Sequence, residues 1–181
     1  GKLQIVSFEY DNELIYLTNV YAPSNSDKEV KCSFFNHITS LFDQDSLKHI
    51  PEGKWIMAGD WNIVENLSLD TYSINDNGTR NNNNNGDATY HDSLQALSNL
   101  LNTYSLTDAT KVNDDDDNDE IDMTSNQMGF TFEHRNLKYW ARLDRFYVSP
   151  TLKECCFYAN SPPIKISDHM PILLVLYKND A

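Results

Sequence analysis

Three short stretches hold residue types that do acid–base chemistry. In Ile166-Ser167-Asp168-His169-Met170-Pro171-Ile172 a carboxylate and an imidazole stand side by side. In Gly59-Asp60-Trp61-Asn62 a carboxylate and an amide are two residues apart, a spacing that turns both to one face of an extended chain. In Trp140 to Ser149, Asp144 lies within a strand-like run and faces away from Leu143. An acid there is expensive to bury unless it is paired. Histidine is its natural partner, so a hydrogen bond between Asp144 and His169 is expected. The same residues also occur in plain structural settings. An Asx-type turn closing a strand would use Asp60 and Asn62, and a polar loop beside a surface histidine would read Asp-His.

The neighbouring elements decide whether these groups can meet. Ile172 to Tyr177 is a continuous apolar run that reads as a buried strand, which puts Asp168 and His169 on the loop feeding it. Lys54 to Ala58 reads as a short strand ending at the Gly59 turn. Leu3 to Phe8 and Leu14 to Val20, with turn residues Tyr10 to Glu13 between them, read as a β-hairpin. The second hairpin strand runs out in Asn19-Val20-Tyr21-Ala22-Pro23, where Pro23 stops it. A helix is expected next, opened by Ser26 and Glu29 as a capping box and carrying Val30, Phe34, Ile38, Leu41 and Phe42 on one face. His37 beside it is read as structural. A second helix carries Leu94, Leu97, Leu100, Leu101 and Tyr104, with Asp92 as its cap. Gly129 to Phe132 begins a strand whose partner is Trp140 to Ser149.

The chain has 181 residues, 40% hydrophobic and 23% charged, which fits one globular domain over 1–181. Low-complexity loops are expected near 75–88, around the asparagine tract Asn81 to Asn85, and near 113–126. The net charge is −13, and without the seven acids between Asp114 and Asp122 it is still −6. That body argues against tight non-specific DNA binding but not against a nuclease, whose metal site needs carboxylates. The acidic run lacks the glycine and spaced ligands of an EF-hand. Three cysteines, Cys32, Cys155 and Cys156, suggest no disulfide framework, and an intracellular, reducing setting is expected. No Cys/His spacing resembles a zinc site. No apolar run reaches membrane-spanning length, and Gly1 to Ile5 does not have the form of a signal peptide.

Four stretches in one order carry a family resemblance: Asn19-Val20-Tyr21-Ala22-Pro23, Gly59-Asp60-Trp61-Asn62, Arg142-Leu143-Asp144-Arg145-Phe146 and Ser167-Asp168-His169-Met170-Pro171-Ile172. From Asn19 to Ile172 the chain resembles the endonuclease/exonuclease/phosphatase family. Within it, the chain is most similar to the apurinic-type endonuclease domains of LINE-like, non-LTR retrotransposons. Trp140 to Ser149 and the preceding Gly-Phe-Thr-Phe favour that branch. The resemblance implies an α/β fold, a two-sheet sandwich flanked by helices. It implies Mg²⁺ (or Mn²⁺) as cofactor, with Asp168 as a metal residue. His169 would contact the scissile phosphate or move a proton, and Asp144 would hold its ring. Asp60 would orient or deprotonate the attacking water, and Asn62 and Tyr21 would bind phosphate oxygens.

Two departures go with the resemblance. Ser24 stands where the family often has Asn after the Tyr-x-Pro element, with Asn25 following. The family's early Asn and its metal-binding Glu have no matching positions, so the chain reads as N-terminally truncated. The expected function is a divalent-metal-dependent DNA endonuclease that nicks a target site for retrotransposition. It would act on DNA with a reverse transcriptase fused or encoded alongside, away from membranes and in the nucleus. Lacking that Glu, the chain as it stands is expected to be poorly active. The alternatives are a non-catalytic remnant of the domain and a phosphatase of the same fold.

Overall fold

The computed structural model describes residues 1–10, 12–24, 28–41, 54–74, 89–109, 129–134, 138–153, 156–159 and 167–176. The two low-complexity loops near 75–88 and 113–126, Ser26, Phe42 and Cys155 lie outside them.

The N-terminal hairpin forms as its apolar runs predict. Strands β1 (Lys2–Tyr10) and β2 (Glu13–Tyr21) pair antiparallel along their full length. Asn12 in the turn has φ 62°, a left-handed conformation that Asn tolerates better than most residues. Helix α1 (Lys28–Leu41) then crosses over to β3 (Lys54–Asp60), which runs parallel to β2. Parallel neighbours need such a crossover. The buried stripe of α1 differs from the expected one. Phe35 and Ile38 are buried, Phe34 and Leu41 are half-buried, and Val30 is exposed. The helix is rotated so that Phe35 stacks on Trp61. Helix α3 (Thr89–Thr103), which follows the short α2 (Leu67–Asp70) and β4 (Thr71–Ser73), packs against α1 with Leu97 and Leu100 fully buried. Asp92 lies inside its first turn rather than at its cap.

The remaining strands are β5 (Thr107–Asp108), β6 (Phe132–His134), β7 (Tyr139–Ala141) and β8 (Asp144–Val148). Past helix α4 (Pro150–Lys153) come β9 (Cys156–Ala159) and β10 (Leu173–Leu176). Residues 140–149, expected to form one strand, form two. The chain leaves β7 at Arg142 and Leu143 and enters β8 in the other sheet. The first sheet has the order β1-β2-β3-β8-β5. The second layer comprises the three-stranded β4-β7-β6 and the antiparallel pair β10-β9, with an isolated bridge between Phe132 and His169.

Alternation gives the first sheet two covered faces. Tyr16, Val20, Trp55, Met57 and Tyr147 point toward α1 and α3. Ile15, Ile56 and Val148 point the other way and pack with Leu174 and Leu176 of β10. The result is the expected mixed α/β sandwich of two sheets with helices outside. Strand β10 is not fully buried, however, since Leu173 is 49% and Val175 37% exposed. Its run is apolar on both faces although only one is covered.

Candidate active site

Register brings the first three site residues together. Tyr21 pairs with Asp60 across β2–β3, and Asp60 pairs with Asp144 across β3–β8. Residues in register on neighbouring strands point to the same side. The three therefore form a row at one end of the first sheet, on the face turned toward the second sheet. His169 comes from that second sheet and closes over the row. Its Nδ1 is 2.9 Å from Asp144 Oδ2, and its Nε2 is 4.0 Å from Asp60 Oδ2. The expected Asp144–His169 hydrogen bond is present.

The loop carrying His169 is pinned at several points. Ser167 Oγ accepts from the His169 N–H at 2.9 Å and donates to its carbonyl at 3.0 Å. Glu133 N–H donates to the Asp168 carbonyl, and Met170 N–H to the Thr131 carbonyl. Phe132 meets the imidazole edge-on, with centroids 5.1 Å apart. Thr131 is the residue that sequence reasoning passed over. It is buried, and its Oγ1 accepts from both the Leu143 and the Asp144 N–H, at 3.0 and 2.9 Å. One residue thus holds the start of β8 through its hydroxyl and the His169 loop through its carbonyl. The signal was a hydroxyl inside the aromatic run Gly-Phe-Thr-Phe, because a buried hydroxyl needs a partner.

Asp60 and Asn62 do face each other, but not through extended backbone. The strand ends at Asp60, Trp61 turns fully into the core, and Asn62 adopts φ 47°. From that turn the Asn62 N–H donates to Asp60 Oδ1 at 2.9 Å. Its Nδ2 donates to Asp60 Oδ2 at 2.8 Å and to the Ala22 carbonyl at 2.9 Å. Both amide hydrogens are therefore engaged, so Asn62 grips Asp60 where donation to a phosphate oxygen was expected. Gly59 permits the close approach: it has φ 134°, and a Cβ there would sit 2.0 Å from the Val20 carbonyl oxygen.

Charge in the cluster is shared unevenly. The hydrogen bond to Asp144 raises the His169 pKa, opposed by partial burial and helped by the Asp144, Asp60 and Asp168 charges. Burial raises the Asp60 pKa, as does the Asp144 charge, while the hydrogen bonds from Asn62 and the His169 charge lower it. Asp60, Asp144 and His169 offer ligating atoms within 4.8 Å of one another, the one such group among the described residues. Two carboxylates and an imidazole suit a divalent cation. Asp168, exposed beside His169, is outside that group, and Tyr21 is 49% exposed at the end of the row.

Beneath the site runs a buried ion network. Asp70 accepts from Arg142 Nε and Arg145 Nη2, both at 2.8 Å, and Asp108 accepts from Arg142 Nη1 at 2.8 Å. The two arginines flank Asp144 in the chain, so the network fixes the base of its strand. Among the described residues no helix is long and apolar enough to cross a membrane.

The sequence matches no protein-family model and no curated protein sequence. Solved structures do match. An AP endonuclease from Archaeoglobus fulgidus superposes with a TM-score of 0.65 at 16% identity, covering 96% of this chain and 65% of its own. The endonuclease domain of TRAS1, a telomere-specific non-LTR retrotransposon, gives 0.59 at 14% identity over 98% of this chain and 64% of its own. Truncated Caenorhabditis elegans TDP2 gives 0.53 at 16% identity, covering 94% and 57%. The chain thus spans somewhat under two thirds of the length of each. Two layered sheets, helices on the outer face and carboxylates converging with a histidine at the strand ends are accounted for together: this chain has the endonuclease/exonuclease/phosphatase fold.

Proposed function

We propose that the chain is a nuclease domain that hydrolyses a DNA phosphodiester with the help of a divalent cation. The observation that carries this is the row Tyr21, Asp60 and Asp144 lying under His169, with the imidazole between two carboxylates. In the reaction Asp60 accepts a proton from the attacking water. The new oxygen–phosphorus bond forms as the bond to the 3′ oxygen breaks, and the departing 3′ oxygen takes a proton from solvent water, leaving a 3′-hydroxyl and a 5′-phosphate. His169, its pKa raised by the hydrogen bond to Asp144, donates through Nε2 to a non-bridging phosphate oxygen. Tyr21 presents its hydroxyl to the same phosphate from the far end of the row. Proton transfer by positioned groups of this kind contributes about 10²–10⁴-fold in rate.

The cation, Mg²⁺ or Mn²⁺, supplies positive charge for the developing oxyanion. The Asp60 and Asp144 carboxylates would hold it, with Asp168 beside them. Those carboxylates already serve His169 and Asn62, and hard cations depend on carboxylate charge and ligand number. The 181 residues alone are therefore expected to act weakly. DNA is favoured as substrate because two of the similar structures are described as endonucleases, one of them from a non-LTR retrotransposon. That likeness and the run Trp140 to Ser149 support target-site nicking beside a reverse transcriptase, in the nucleus.

Relaxation of supercoiled plasmid tests the reading. Slow nicking in Mg²⁺ or Mn²⁺, abolished by EDTA and by His169→Ala or Asp60→Ala, is expected. Activity that survives EDTA or either substitution refutes the assignment, as does a complete lack of nicking. Robust nicking at ordinary Mg²⁺ overturns the expectation of weakness.

A further inference from the structure

Two bands of side chains cross the three-stranded sheet β4-β7-β6 on the face that carries His169. In the first, Thr71, Ala141 and Phe132 are in register, and Phe132 bridges His169. In the second, Ser73, Tyr139 and His134 are in register. Residues two apart on a strand point to the same side, so both bands share one face. Ring contacts trace the link, since Phe132 meets the His169 ring edge-on and lies 6.5 Å, centroid to centroid, from the His134 ring. Tyr139 is half-buried and His134 is exposed. β7 leads into β8 at its Asp144 end, so the second band lies at the end of the molecule where Asp60 and Asp144 stand. Neither Tyr139 nor His134 has a part in the hydrolysis described above.

The spacing of the bands has a consequence for a nucleic acid. They are two residues apart along each strand, about 6.7 Å. A stacked DNA strand rises only about 3.4 Å per nucleotide. With a phosphate against His169, the neighbouring base reaches Tyr139 and His134 when it is drawn away from its own stack. An aromatic ring offsets that loss, because any base can stack on it. Charge points the same way. The chain carries −13, so phosphate contacts supply little net attraction. Stacking on a ring is an attraction that negative charge does not oppose.

We propose that Tyr139 and His134 form a stacking platform for the base next to the scissile phosphate. The preferred substrate is then single-stranded DNA, whose bases are free to unstack, over continuous duplex. The inference rests on the reading of the chain as a DNA nuclease, but its first test needs no cutting.

Fluorescence anisotropy of a labelled oligothymidylate and of a blunt duplex of equal length, in EDTA so that nothing is cut, measures the preference. The single strand is expected to bind about tenfold more tightly. Its affinity should fall less than about fivefold between about 50 and 200 mM salt, whereas every gripped phosphate would steepen that fall. Tyr139→Ala should weaken binding about tenfold, the equivalent of one stacked base. Tyr139→Phe, which keeps the ring, should bind as the wild type does. On titration with a thymidine trinucleotide the Tyr139 and His134 ring protons should move upfield. If Tyr139→Ala does not fold, Tyr139→Leu, apolar but without a ring, decides the matter by the same tenfold loss. Equal affinity for the two DNAs, no binding of the single strand, or wild-type binding by Tyr139→Leu overturns the proposal. Plasmid relaxation then separates the two claims. Ring-dependent binding by a protein that does not nick keeps the platform and removes the nuclease reading. Nicking and binding both indifferent to Tyr139→Leu keep the nuclease and remove the platform.

Discussion

Replacing Asp144 with Asn isolates the contact at the centre of the site. The side chain keeps its shape and an oxygen that accepts from His169 Nδ1, and loses its charge. A hydrogen bond to a charged group contributes about 1.5–3 kcal/mol. The two side chains are 14% and 31% exposed, so solvent screens the pair and about 1 kcal/mol is the better figure. The Asp144 charge favours the imidazolium, so His169 should titrate lower in the variant. The sign of the stability effect follows from the direction of the shift. The His169 pKa is raised in the folded state, so its stabilisation is fully present below the unfolded histidine value and fades as pH rises through the folded one. At about pH 5 Asp144→Asn should therefore melt about 2–4 °C below the wild type, and near pH 9 the gap from this source should close. Histidine Cε1–H NMR titration and melting curves across that range measure both quantities. An unmoved His169 midpoint, or a melting gap that widens with pH, would refute the account of the pair.

Three further outcomes follow from the same geometry. Thr131→Val keeps the shape but strands the Leu143 and Asp144 N–H groups. A loss of about 1–3 kcal/mol in denaturant unfolding is expected, with a lowered His169 pKa as its local signature. Gly59→Ala places a methyl 2.0 Å from the Val20 carbonyl oxygen, and the soluble yield should collapse, since the rigid contact is with backbone of an adjacent paired strand. Asp70→Asn leaves Arg142 and Arg145 with one charged partner fewer in a buried network. It should cost about 3–5 kcal/mol by chemical denaturation, the range for breaking a buried pair from one side.

Local pattern was enough for part of this. The hairpin could be read because its apolar runs are separated by residues that turn, and the pairing of Asp144 with His169 because a buried acid needs a partner. The misreadings share a cause, which is that a one-dimensional pattern does not say which side is covered. Ile172 to Tyr177 is apolar throughout, so nothing in it distinguishes burial on one face from burial on two. In α1, Val30 and Phe35 are equally apolar, and only packing on Trp61 selects Phe35. Trp140 to Ser149 looks like one strand because Arg142 and Leu143 disturb the alternation very little. It breaks because Arg142 turns down to Asp70 and Asp108 while the Leu143 and Asp144 amides are taken by Thr131.

The site itself is a consequence of register, and register is a property of pairs of strands. Tyr21, Asp60 and Asp144 are far apart in the chain, and no spacing among them encodes that they stand in one row. What places them is that β2 and β3 run parallel with Tyr21 opposite Asp60, while β8 runs antiparallel with Asp144 opposite the same residue. A slip of one residue in either ladder would send one carboxylate to the helix side. The apolar alternation prevents that slip, because Ile15, Ile56 and Val148 must stay on the sandwich face while Tyr16, Met57 and Tyr147 stay under the helices. The core thus sets the geometry of the chemistry: the residues that bury area fix the register, and the register delivers the acids to His169.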